Sequence, residues 1–150
     1  MKKIVTGDIF KYSYNNKDYG IHVIGAHQTY GIVSRVTDLY GGGLTDVESL
    51  TELFCILLPV KQAVKSGDFE YIGRLPLPES RKGELRLRYP NVRLEGKSIS
   101  GWTIVEDGFE RRVKTLSDKE MNYPYAFWVD LKKLDELIDS GWNGKSLFPD

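Results

Sequence analysis

The chain has 150 residues, 41% of them hydrophobic, and a formal net charge of zero. This length suits a single domain spanning residues 1–150, and the apolar fraction is too high for a disordered chain. The balanced charge argues against a dedicated nucleic-acid binder. The longest apolar run, Leu53 to Val60, is interrupted by Pro59 and falls far short of the roughly 20 residues that span a membrane.

The first forty residues read as a meander of strands. Phe10, Tyr12 and Tyr14 alternate with Lys11 and Ser13, the period of a strand with one buried face. Asn15-Asn16-Lys17-Asp18 is a turn cluster, and two further strands are predicted over Tyr19–Ala26 and Tyr30–Val36. Gly41-Gly42-Gly43 is a loop without the Lys-Ser/Thr of a phosphate loop. Thr45-Asp46-Val47-Glu48 has the form of a capping box. With Val47, Leu50, Leu53 and Phe54 at helical spacing, it predicts a short helix from Asp46 to about Leu53.

Phe54–Val60 reads as a buried strand, Gln62–Ser66 as one helical turn closed by Gly67, and Phe69–Ile72 as another strand. Glu79–Lys97 is rich in charge and poor in large apolar residues, which predicts loop with an edge strand at Leu85–Tyr89. Trp102–Glu106 and Phe109–Lys114, joined by Asp107-Gly108, carry the strongest hairpin signal. Ser117-Asp118-Lys119-Glu120 is a second capping box, its helix limited by Pro124. Tyr125–Val129 is a strand. Asp130 caps a final amphipathic helix, Leu131–Asp139, which Gly141 ends. The predicted class is α+β, with a mainly antiparallel, strongly bent and barrel-like sheet, short helices and a C-terminal amphipathic helix.

Residues suited to chemistry are sparse. His22 and His27 stand an odd number of positions apart, so on one continuous strand they face opposite sides, and no tetrahedral metal spacing is present. Cys55 lies in the apolar run Phe54–Leu58, the setting of a core thiol without a cationic neighbour. Asp135, Glu136 and Asp139 lie on the polar face of the last helix, where solvation accounts for them. Neither catalytic residues, a metal nor a cofactor is expected. The single cysteine permits no internal disulfide, and the amino terminus has no signal-peptide apolar core, so a cytoplasmic location is expected.

Charge is unevenly placed. Asp38 to Val60 holds four acidic residues, Asp38, Asp46, Glu48 and Glu52, and no lysine or arginine. Arg74 to Lys97 holds seven basic against three acidic residues, Arg81, Arg86, Arg88 and Arg93 among them. Two solvated faces are the simple explanation; two steering patches for a charged partner are the functional one. Arg81, Arg86, Arg88 and Arg93 with Tyr89 also suit a single-stranded nucleic-acid binder, and Tyr12, Tyr14, Tyr19 and Tyr30 suit either cross-strand pairs or a ligand pocket.

The order of elements resembles the immunity protein 26 family of bacterial polymorphic toxin systems. The resemblance rests on Gly7-Asp8-Ile9-Phe10 and Tyr19-Gly20-Ile21-His22-Val23-Ile24-Gly25. It continues through a short helix ending at Gly67, then Phe69-Glu70-Tyr71-Ile72-Gly73, then Leu75-Pro76-Leu77-Pro78, the Trp102–Lys114 hairpin and the final helix. The family pattern has tryptophan where Phe69 stands. The resemblance implies a cytoplasmic antitoxin that catalyses nothing and occludes a cognate toxin domain. Either the acidic set (Asp38, Asp46, Glu48, Glu52) or the basic set (Arg81, Arg86, Arg88, Arg93) would be its contact. The alternative is a nucleic-acid or small-ligand binding module on a curved antiparallel sheet.

Overall fold

Two-residue alternation produces the first strand, β1 (Asp8–Tyr14), which turns back at once into β2 (Lys17–His27). The loop between them is Asn15-Asn16, with φ of 54° and 63°. Two consecutive left-handed residues make the turn whose twist matches the flanking strands, and asparagine tolerates that region better than most side chains. A computed structural model describes residues 3–39, 49–92, 99–106 and 108–146. The chain continues through β3 (Gly31–Asp38), β4 (Glu52–Leu57), α1 (Val60–Ser66), β5 (Phe69–Arg74), β6 (Leu87–Val92), β7 (Ile99–Glu106), β8 (Phe109–Val113), β9 (Tyr125–Trp128) and α2 (Leu131–Ser140).

All nine strands join one sheet, in the order β5-β1-β2-β3-β4-β9-β6-β7-β8. Pairing is antiparallel except on the two sides of β9, which runs parallel to both β4 and β6. The short β9 thus joins two antiparallel meanders. The sheet is not closed into a barrel: β5 and β8 are its edges. It bends sharply, with ladder irregularities at Ile9/Phe10, Val23/Gly25, Val36/Thr37 and Asn91/Val92, where an unpaired residue increases the local twist. Among the described residues no helix is long and apolar enough to cross a membrane.

Successive residues of β4 separate the two faces. Phe54 and Ile56 pack with Phe10, Ile21, Val36 and Tyr125 beneath the helices, whose Val60, Ala63, Leu134 and Leu137 are buried there. Cys55 and Leu57 point the other way, into a smaller core with Val33, Leu87, Val105 and Ala126, against which Leu77 and Leu85 pack from the connecting segment. Burying such a side chain stabilises by about 1.5–3 kcal/mol relative to exposing it, so both cores are needed to hold the curvature.

The helix ends follow their capping signals. Asp130 accepts a bond from the Lys133 N–H, and Gly141 closes α2 in the left-handed region, as Gly67 closes α1. Ser117 and Glu120 form a reciprocal box: the Ser117 N–H donates to the glutamate carboxylate, and the Glu120 N–H donates to the serine hydroxyl. Two expectations are corrected. Glu52 and Leu53 begin a strand instead of ending a helix, because pairing with β3 overrides a local helical spacing; Asp46 and the first capping box lie outside the described residues. The strand predicted as an edge at Leu85–Tyr89 is instead the interior β6, held between β9 and β7.

Candidate functional site

The two charged segments meet each other. Glu52, at the start of β4, receives a two-pronged bond from Arg81, which stands in a 3₁₀ turn at Glu79–Arg81. Nε reaches one carboxylate oxygen at 3.0 Å and Nη2 the other at 2.7 Å. The Nε of Arg35, on β3, lies 3.8 Å from the same carboxylate. One candidate from each proposed patch is therefore spent on the other, in a half-buried Arg-Glu-Arg arrangement of which only Arg35 is buried. Asp38 accepts the Thr51 N–H at 2.8 Å and braces the return into β4. Asp46, Glu48 and Arg93 lie outside the described residues.

Arg88 corrects the expectation of a surface arginine. It is fully buried, its guanidinium 4.9 Å from the centroid of the Trp102 ring and 4.3 Å from that of Tyr125. It donates to the backbone carbonyls of Tyr123 (2.9 Å), Met121 (3.1 Å) and Gly144. Burial pulls its pKa down from the ordinary arginine value, with the Tyr125 ring group opposing. Arg86 stays at the surface, with Nε 3.3 Å from Glu106 and Nη2 3.7 Å from Glu84. Glu106 also binds Arg111, which reaches on to Glu120. Arg81, Arg88 and Arg111 thus converge on one segment, residues 120–123, since Arg81 donates to the Asn122 carbonyl as well. The basic run is largely an internal fastening for the connection between β8 and β9.

A cleft of about 550 Å³ opens beside the Glu52–Arg81 pair, lined by Ile24, Lys82, Arg86, Lys119 and Tyr123 among others. Its charges are mixed and mostly matched within the wall: Lys82 binds Glu79 at 2.8 Å, beside the Arg81–Glu52 and Arg86–Glu84 pairs. Cys55 is buried in the smaller core. Desolvation pushes its thiol up to about 12, which keeps it protonated and unreactive at neutral pH. The imidazoles are engaged too: His22 contacts the Leu75 carbonyl at 3.0 Å, and Nδ1 of His27 accepts the Thr29 and Tyr30 N–H groups.

The tyrosines of the meander are tied down individually. Tyr12 donates to Asp135 and Tyr14 to Asp139, fixing α2 against β1, and Tyr19 is buried. Tyr30 donates to Glu110 on β8, which also accepts from Tyr89. Desolvation, then the bonds to Asp135 and Glu110, hold the phenols of Tyr12 and Tyr30 protonated beyond the usual range, and for Tyr14 the bond to Asp139 does so first.

What the sequence reading missed is aromatic surface. Trp128 is 57% exposed and Phe127 is 37% exposed, at the end of a strand in the middle of the sheet. Tyr125 and Phe127 stack at 5.8 Å on the helix-bearing side, so Trp128, at the opposite parity, ends the row begun by Ala126. A signal was present. Tyr125-Ala126-Phe127-Trp128 is apolar at both parities, and such a strand must be buried on both faces or expose part of one. Comparison of the chain with protein-family models, curated proteins and solved structures gives no match.

Proposed function

We propose that this chain is a toxin-neutralising immunity protein of the kind its order of elements resembles, acting in the cytoplasm by occupying a toxin domain and catalysing no reaction. The observation that carries this reading is Trp128, an exposed indole at the end of a strand the sheet holds from both sides. Tryptophan is the side chain most often found at the energetic centre of a protein interface, and an anchor on a rigid strand loses little conformational freedom on binding.

Occlusion requires rigidity behind the contact. β9 has it: Val129 donates to Leu57, and Arg88 packs on Tyr125 two residues before Phe127. Charged rims add on-rate and register. With Glu52 and Arg81 committed to each other, Arg88 buried and Arg86 paired with Glu84 and Glu106, steering by either proposed set falls to its remaining members: Asp38, Asp46 and Glu48, or Arg93.

The test is co-expression in bacteria with the carboxy-terminal domain encoded by the neighbouring toxin gene. Restored growth together with a one-to-one complex on gel filtration is expected. Full toxicity and no complex, with both proteins soluble, would contradict the proposal.

A further inference from the structure

We infer that β8 is a self-recognition edge through which two copies of this chain pair antiparallel, continuing one sheet into the other. β8 pairs with β7 on one side only, and on its far side its backbone groups make no hydrogen bond among the described residues. Charges on an edge strand ordinarily discourage such pairing. Here their order does the reverse. The strand reads Phe109-Glu110-Arg111-Arg112-Val113. Two copies laid antiparallel about Arg111 set each Glu110 opposite the partner's Arg112 and each Phe109 opposite the partner's Val113. The charge pair is favourable and is made twice, as a two-fold interface requires.

The other side chains fit this register. Phe109 is 57% exposed and would be covered by a half-buried valine. The two Arg111 side chains face each other at the axis, but each is already neutralised by Glu106 and Glu120, both at 2.6 Å. Among the described residues Arg112 has no ion-pair partner, and Glu110 accepts from the hydroxyls of Tyr30 and Tyr89 but has no cationic partner. The opposite edge lacks this property. In β5, Glu70 is already paired with Lys11, and two copies about the Tyr71–Ile72 centre would set Glu70 against glycine. A five-residue strand pair with one apolar contact on each side is smaller than a standard interface, so the dimer is a concentration-dependent one.

The test is sedimentation equilibrium of the full chain from about 1 µM to about 1 mM, with amide exchange of Phe109–Val113 followed over the same range. The wild type should approach twice the monomer mass, with the β8 amides slowing as the dimer fills. Arg112→Glu sets two carboxylates face to face without touching the Glu110–tyrosine bonds, and should remain monomeric. Glu110→Arg should also be monomeric alone, yet a one-to-one mixture of the two variants should recover the dimer, since each then meets its opposite charge. If Glu110→Arg fails to fold, Arg112→Glu and the exchange data decide. A wild type that stays monomeric throughout, or a dimer that survives Arg112→Glu with β8 amides unprotected, would overturn the inference.

Discussion

The Tyr30 hydroxyl donates to Glu110 at 2.9 Å, although β3 and β8 stand five places apart in the sheet. Neighbouring strands lie about 4.8 Å apart, so a flat sheet would separate them by about 24 Å, beyond the reach of both side chains. The bond exists because the sheet curls over its smaller core, and it fastens the curl at its mouth together with Tyr89, which binds the same carboxylate at 3.2 Å. Glu110→Gln leaves an acceptor but removes the charge, and should cost about 0.5–1.5 kcal/mol in urea unfolding, with Glu110→Ala costing more. An unchanged midpoint for both would deny the fastening.

The same tyrosines give an alkaline signature. The phenols of Tyr14 and Tyr30 are pushed up to about 12, chiefly by the bond to Asp139 in the first case and by desolvation in the second. The folded state holds these protons more tightly than the unfolded state, whose tyrosines titrate near 10. The stability they contribute is therefore complete below about pH 10 and is lost as pH rises towards about 12. Urea midpoints measured at pH 8, 9 and 11 should be nearly level between the first two and fall at the third. Tyr30→Phe should flatten part of that fall.

Arg88 should behave as a core residue. Arg88→Met removes the charge with similar bulk but leaves three carbonyl groups of the β8–β9 connection unpaired, at a cost of about 3–5 kcal/mol. Circular dichroism of the variant should show lowered stability, where a surface contact residue would show none.

This arginine also marks what the sequence could reveal. Capping was legible because it is local: Asp130 and Lys133 are three residues apart, as are Ser117 and Glu120. So was the β7–β8 hairpin, whose strands pair as close as Glu106 with Phe109. The parallel pairing of β9 with β4 and β6 joins segments far apart in sequence and leaves no local trace. Arginine is normally solvated, so a run holding Arg81, Arg86 and Arg88 reads as loop and edge strand until Trp102 and Tyr125 are seen to pack against one of them and Glu52 to fork with another. The exposed Trp128 went unnoticed because a strand-forming aromatic is ordinarily assigned to the core.

Glu52 and Arg81 should be interchangeable as a pair. Glu52→Arg alone places three cations together with Arg35 and should destabilise by about 2–4 kcal/mol, while Glu52→Arg combined with Arg81→Glu should recover a measurable part of that loss. Additive losses in the double variant would show that the fork contributes nothing. Affinity for a partner is expected to follow stability in these variants, because the fork is internal.

The thiol gives a direct probe of the second core. Cys55 is 4% exposed and held protonated, so its reaction with an aromatic disulfide reagent at pH 8 should track unfolding and accelerate with urea. Immediate stoichiometric reaction in the native protein would contradict its burial.

The most direct measurement is the affinity of the neighbouring gene's toxin domain for the wild type and for Trp128→Ala, by titration calorimetry, with thermal unfolding of each as the control. An exposed anchor predicts a loss of at least about 2 kcal/mol in binding and a change within about 0.5 kcal/mol in stability. Equal affinity for both proteins would show that Trp128 is not the contact, and no binding by the wild type would remove the immunity proposal itself.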